Sequence, residues 1–201
     1  FLSKCWSNDP IDRPCFHEIV EEIMNDRYKA AFSANDEEVA EYLDIFDSDS
    51  NLYSNDYLTI QYDADQGDVK SMVKFGLMLL KGEGIETNHN KAAHYLKNAA
   101  DQGEKEALFH YGMMLTKGDG VPLNQNEGAR YLKRSADLGE SRSMYHYGLI
   151  LMKGEGIPMN KKEAARYLKM SADQGETIAM LNYGDILYYG NGVRSNKKEA
   201  A

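Results

Sequence analysis

Cysteine is nearly absent: Cys5 and Cys15 are the only two in 201 residues. Two thiols ten positions apart supply neither a disulfide framework nor four metal ligands. A reduced, cytoplasmic setting is therefore the expectation. Tryptophan occurs once, at Trp6, and proline four times. No apolar run nears the ~18 residues that span a bilayer. Nor does a basic segment followed by an apolar stretch mark a secretory leader at Phe1, although Phe1 is no initiator and the chain reads as a fragment. Positive charge is also short, with 23 Lys and Arg against 32 Asp and Glu and a net charge of −9. That deficit is local. Residues 1–63 hold 4 basic against 15 acidic side chains, and residues 64–201 hold 19 against 17. Neither part has the basic stripe of a nucleic-acid binder. Protein partners remain, with no nucleic acid and no membrane span.

What is present is repetition, the signature of arrays whose units bury their apolar faces only by stacking. Four units align without a gap: residues 64–99, 100–135, 136–171 and 172–201. The second reads ADQGEKEALFHYGMMLTKGDGVPLNQNEGARYLKRS and the third ADLGESRSMYHYGLILMKGEGIPMNKKEAARYLKMS. The fourth stops six residues short of its predecessors. Its end is expected to fray.

Each unit reads as helix, turn, helix. In the third, Met144, Tyr147, Gly148 and Leu151 share one face of a 3.6-residue helix. The glycine recurs at the same phase as Gly76, Gly112, Gly148 and Gly184. Mid-helix glycine costs roughly 1 kcal/mol against alanine, so its recurrence implies close approach of a neighbouring helix. A Gly-x-Gly turn then ends the first helix. Asn88, Asn124, Asn160 and Asn196 each stand where an N-cap opens the second helix. Glu127, Glu163 and Glu199 complete a capping-box-like pattern. Lys91 does not, so the first unit's second helix is expected to start less firmly. Small residues (Ala164, Ala165, Ala172) with Leu168 and Tyr167 give that helix a closely packing face. The fold class expected is all-α, an α-hairpin array.

These residues carry a family resemblance. The succession A-D-x-G, Y-G, K-G-x-G-[IV], N-x-x-E-A-A-x-Y-L-K resembles the Sel1-like repeat, a relative of tetratricopeptide arrays. The resemblance covers residues 64–201 and implies a right-handed α-solenoid. It also implies a non-enzymatic adaptor that holds protein complexes together, often through its concave surface. Some Sel1-like proteins act in protein quality control in the endoplasmic reticulum, a less favoured alternative here.

Other chemistry finds little support. The pair Gly82-Glu83-Gly84 lacks the third glycine and the preceding strand of a phosphate loop, and reads as a turn. Asp47, Asp49 and Asn51 open like a calcium loop, but Leu52 and Leu58 stand at its glycine and glutamate positions. No catalytic, cofactor-binding or metal residues are assigned, and no cofactor is expected. Lys74, His110, His146 and Asn182 occupy one site in the four first helices. They form either a protein-binding column or a merely variable, exposed polar position. Ten methionines and fourteen tyrosines fall mostly at core phases, Met72, Met144 and Met180 among them.

The opening is different. Residues 28–63 read as an acidic connector with short helices, ending in YLTIQYD, a degenerate capping half-repeat. Within it, residues 34–56 carry eight acidic side chains and no Lys or Arg. Residues 1–27 contain CWSNDPIDRPCFHEI, a helix end, a turn, and a helix started by Asp12 and Pro14. The pattern C-W-x3-D-P-x2-R-P-x-F-x-E-I resembles the closing segment of a tyrosine-kinase-like protein kinase domain. It implies that Trp6 and Phe16 pack the last helices of a C-lobe, and that Arg13 pairs with an upstream glutamate. The Gly-rich loop, lysine, H-R-D and D-F-G motifs are all missing. As given, the chain transfers no phosphate. ATP and Mg would concern only an active kinase domain upstream of Phe1.

Overall fold

The computed structural model describes residues 56–200, and every regular element among them is an α-helix. In chain order these are α1 (Asp56–Asp65), α2 (Val69–Lys81), α3 (His89–Asp101) and α4 (Lys105–Lys117). They continue as α5 (Gln125–Asp137), α6 (Ser141–Lys153), α7 (Lys161–Asp173) and α8 (Thr177–Tyr189). The chain divides into two compact units, residues 1–62 and residues 63–201. Of the first unit only the opening turns of α1 are described. Trp6, Arg13, Phe16 and all of the acidic connector before Asp56 lie outside the described residues.

The second unit is a stack of helical hairpins, an α-solenoid. From α2 to α8 each helix packs on its neighbour in sequence. The hairpins α2/α3, α4/α5 and α6/α7 close in the same way. A Cβ added at Gly76, Gly112 or Gly148 would lie 2.8, 3.0 or 2.8 Å from Cγ of Leu96, Leu132 or Leu168. The mid-helix glycines are therefore seats for the second helix's leucine. Those leucines are fully buried, and each contributes roughly 1.5–3 kcal/mol of apolar burial.

The turns follow from chemistry already visible in the sequence. Gly82, Gly118, Gly154 and Gly190 take left-handed φ values of 72–75° and close the first helices. Asn88, Asn124 and Asn160 accept hydrogen bonds from the N–H three residues on, at 2.9, 3.1 and 3.1 Å. The capping box is altered in an instructive way. The asparagine backbone N–H, which a capping glutamate ordinarily takes, already donates to Leu79, Leu115 or Leu151 of the first helix. Glu127 and Glu163 instead accept from the asparagine side-chain amide. Lys91 forgoes only this last bond, so α3 keeps its N-cap.

Hairpins are joined to one another by contacts spaced 30 residues apart. The hydroxyls of Tyr95, Tyr131 and Tyr167 donate to Asp65, Asp101 and Asp137 at 2.5, 3.2 and 2.8 Å. Lys97 and Lys133 pair with the latter two aspartates from one turn earlier. Asp65, in α1, thus plays the part of a preceding repeat's aspartate. Between the second and third hairpins, Ser143 donates to Ser135, which donates to the Lys105 carbonyl, both at 2.7 Å. This leaves no buried side-chain polar atom unpaired among the described residues, the condition under which burying such groups is tolerated.

In the fourth unit the sequence ends inside the second-helix pattern. Asn196 is set as an N-cap, with Glu199 N–H and side chain both bonded to it. Yet residues 197–199 form only a turn. Met180 on α8 is 47% exposed among the described residues, where its equivalents Met144 and Leu108 are 2% and 0%. Met180 is thus at a core phase without being in a core.

Candidate protein-binding face

Lys74, His110, His146 and Asn182 fall one per first helix, on α2, α4, α6 and α8. Their surroundings differ. Lys74 is exposed, while the other three are half-buried. Asn182 spends its side-chain amide on its own helix, donating to the Ile178 carbonyl at 2.8 Å.

The two histidines are drawn into one cluster between α4 and α6. The Phe109 ring lies 4.9 Å from the His110 ring and 5.7 Å from that of His146. The Arg142 guanidinium stands 4.6 Å over the face of Phe109, a favourable placement of cation on aromatic. It also reaches Glu140 at 2.7 Å and Glu106 at 3.6 Å. Glu106 lies 3.9 Å from His110. Both histidines are half-buried in this cluster, whereas Lys74 at the same site is exposed.

Burial disfavours their charged form. His110 is pushed down to about 4, first by desolvation and then by Arg142 and Lys81, with Glu140 opposing. His146 is lowered too, by burial and by Lys117 and Arg142. Near neutral pH both rings are uncharged, each offering one donor and one acceptor. A stability consequence follows. A histidine depressed in the folded state binds fewer protons than its unfolded counterpart, so stability falls as pH drops below the ordinary value. For His110 that loss accumulates from about pH 6.5 down to about 4. Urea midpoints measured near neutrality and near pH 5 are expected to fall less for His110→Gln than for the unaltered chain.

Arg142 and Phe109 went unread in the sequence. Arg142 stands one turn before His146, but its equivalents Lys70, Glu106 and Ile178 share no chemistry. Phe109 follows a core-phase leucine and precedes His110, so nothing marked it as the plate joining two repeats. No group of three His, Cys, Asp or Glu side chains among the described residues is placed to hold a metal ion. No described helix is long and apolar enough to cross a membrane.

An α-solenoid of stacked hairpins, with a polar and aromatic cluster on the first helices, defines the class. The family model for the Sel1 repeat matches residues 69–104, 105–140, 141–176 and 177–201. The chain belongs to the Sel1-repeat family. A Sel1 repeat protein from Oxalobacter formigenes superposes over 72% of this chain and 57% of its own, with 27% identity and a TM-score of 0.68. A protective antigen of uropathogenic Escherichia coli strains, displaying an SLR fold, covers 72% of this chain and 31% of its own. Its identity is 22% and its TM-score 0.69, a likeness of fold. The chain thus spans under two thirds of either structure. No curated protein matches it.

Proposed function

We propose that this chain is a protein-interaction scaffold, gripping partner proteins on the face formed by α2, α4, α6 and α8. Membership in the Sel1-repeat family supports the reading. The observation that carries it is the His110–Phe109–Arg142–His146 cluster, which crosses from one repeat to the next. The Arg142 side chain stays 42% exposed and that of His110 21%, and aromatic and arginine side chains dominate binding energy in protein interfaces. Lys74 and Asn182 extend the same line onto the flanking helices. Asn182→Ala joined to Lys74→Ala, His110→Ala and His146→Ala is expected to reduce capture of a partner in pull-downs while the helical circular dichroism persists. Unchanged capture by the folded quadruple variant would remove this face from consideration.

The finer context rests on residues 1–27. Trp6, Arg13 and Phe16 support a scaffold that follows a tyrosine-kinase-like domain in a cytoplasmic signalling protein. Reading the frame upstream of Phe1 tests this. Intact H-R-D and D-F-G motifs would favour an active kinase as parent, degraded ones a pseudokinase scaffold, and unrelated sequence neither.

A further inference from the structure

Lys117 stands apart from its equivalents in the flanking repeats. Lys81 and Lys153 pair with Glu83 and Glu155 in the turns that follow them, at 3.3 and 3.5 Å. Asp119 holds that place after α4, but it is bonded to the His89 ring at the start of the preceding hairpin's second helix. Lys117 is exposed and forms no ion pair with another described residue. Its charge reaches His146, whose ring is lowered by burial and then by Lys117 and Arg142. The His146 nitrogens make no hydrogen bond to another described residue, and neither is sealed from solvent. Arg142, by contrast, is already held by Glu140 and Glu106. Lys74, Leu77 and Lys81 follow one another at i, i+3 and i+7 along α2, which is one helix face. His110, Met113 and Lys117 do so along α4, and His146, Leu149 and Lys153 along α6. Leu77, Met113 and Leu149 are half-buried there. These three helices carry seven Lys and Arg against one acidic residue, Glu106, although residues 64–201 are nearly balanced.

We propose that the first-helix face receives an acidic segment of a partner protein, with one carboxylate seated between Lys117 and His146 and a neighbouring apolar side chain on Met113 and Leu149. Such an occupant presupposes that this face binds protein, as proposed above. Its carboxylate supplies the ion-pair partner that Asp119, turned to His89, withholds from Lys117. The neutral His146 ring adds one N–H donor to the seat. Potentials across an interface are arranged to be complementary, and helices this basic match an acidic partner. A nucleic acid fits less well. Its phosphates call for a series of free cations along the strand, whereas Lys81, Lys153 and Arg142 are already paired.

The test is to pan a phage-displayed library of random dodecapeptides on the 201-residue chain, on Lys117→Glu, and on the quadruple alanine variant described above. The unaltered chain is expected to enrich peptides with Asp or Glu beside a large apolar residue. Lys117→Glu, with its helical circular dichroism retained, should enrich Lys or Arg at that place instead. In the strongest synthetic peptide, exchanging the carboxylate for its amide should weaken binding roughly tenfold, as for a hydrogen bond to a charged group. Added salt should weaken the acidic peptide more than the amide one. The tenfold loss should vanish on the Lys117→Met chain, because the two changes remove the same pair. Enriched peptides without an acidic position, or the same peptides recovered on Lys117→Glu, would overturn the proposal. The face itself would still stand if the quadruple variant loses those peptides, and would fall if it keeps them. No enrichment on the unaltered chain would also overturn the proposal, and retention of single-stranded DNA in its place would point to a nucleic acid.

Discussion

Gly120→Ala is expected to destabilise the stack well beyond the cost of Gly139→Ala, although both place a Cβ on backbone of positive φ. Both residues hold positive φ, 67° and 91°, where a Cβ costs about 1–2 kcal/mol. At Gly139 nothing among the described residues lies within 4 Å of the added carbon, so the conformational cost stands alone. At Gly120 the carbon would fall 2.4 Å from the His89 carbonyl oxygen and 2.5 Å from its carbon. That is backbone at the start of the preceding hairpin's second helix, and it cannot swing aside as a side chain can. The same confinement recurs at Gly156 against Gln125 and at Gly192 against Lys161. Adding about 1–3 kcal/mol for forced overpacking brings Gly120→Ala to roughly 2–5 kcal/mol. Urea denaturation of the two variants measures the difference. Equal losses would mean that the turns do not pack between repeats as described.

The second large effect lies inside a hairpin. Leu168 is 1% exposed, and Leu168→Ala is expected to cost about 2–5 kcal/mol through lost burial and the cavity left behind. Its seat, Gly148, makes the effect of a second change depend on the first. With Leu168 present, Gly148→Ala drives a carbon to 2.8 Å from the Leu168 Cγ and should destabilise by about 1–3 kcal/mol. With Leu168 already cut to alanine, that obstacle is gone. The nearest remaining neighbour is the Ala164 carbonyl at 3.3 Å. Alanine then brings its helix-propensity advantage of roughly 1 kcal/mol, so the sign of Gly148→Ala is expected to reverse. A double-mutant cycle by chemical denaturation reads this directly. Additive losses would contradict the seat.

These contrasts mark where sequence reading succeeds and where it stops. The period, the hairpin and the close approach at Gly148 were legible because each depends on residues within one unit. Asn160 as an N-cap was legible for the same reason. Contacts between units were not. The bond from Tyr167 to Asp137 and the backing of Gly156 by Gln125 both span about 30 residues and depend on how one hairpin seats on the next. The candidate face shows the same divide. Periodicity put His110 and His146 in one column, but their burial arises from Phe109 and Arg142 meeting across two repeats.

The central claim is that the first helices, and not the second, present the contact face. Site-specific photocrosslinking tests it most directly, with p-benzoylphenylalanine placed singly at four exposed positions. Lys74 and Lys117 lie on α2 and α4, and His94 and Arg130 on α3 and α5. The expected result is one common protein adduct from positions 74 and 117 and none from 94 or 130. Adducts formed from 94 and 130, with 74 and 117 silent, would contradict the claim.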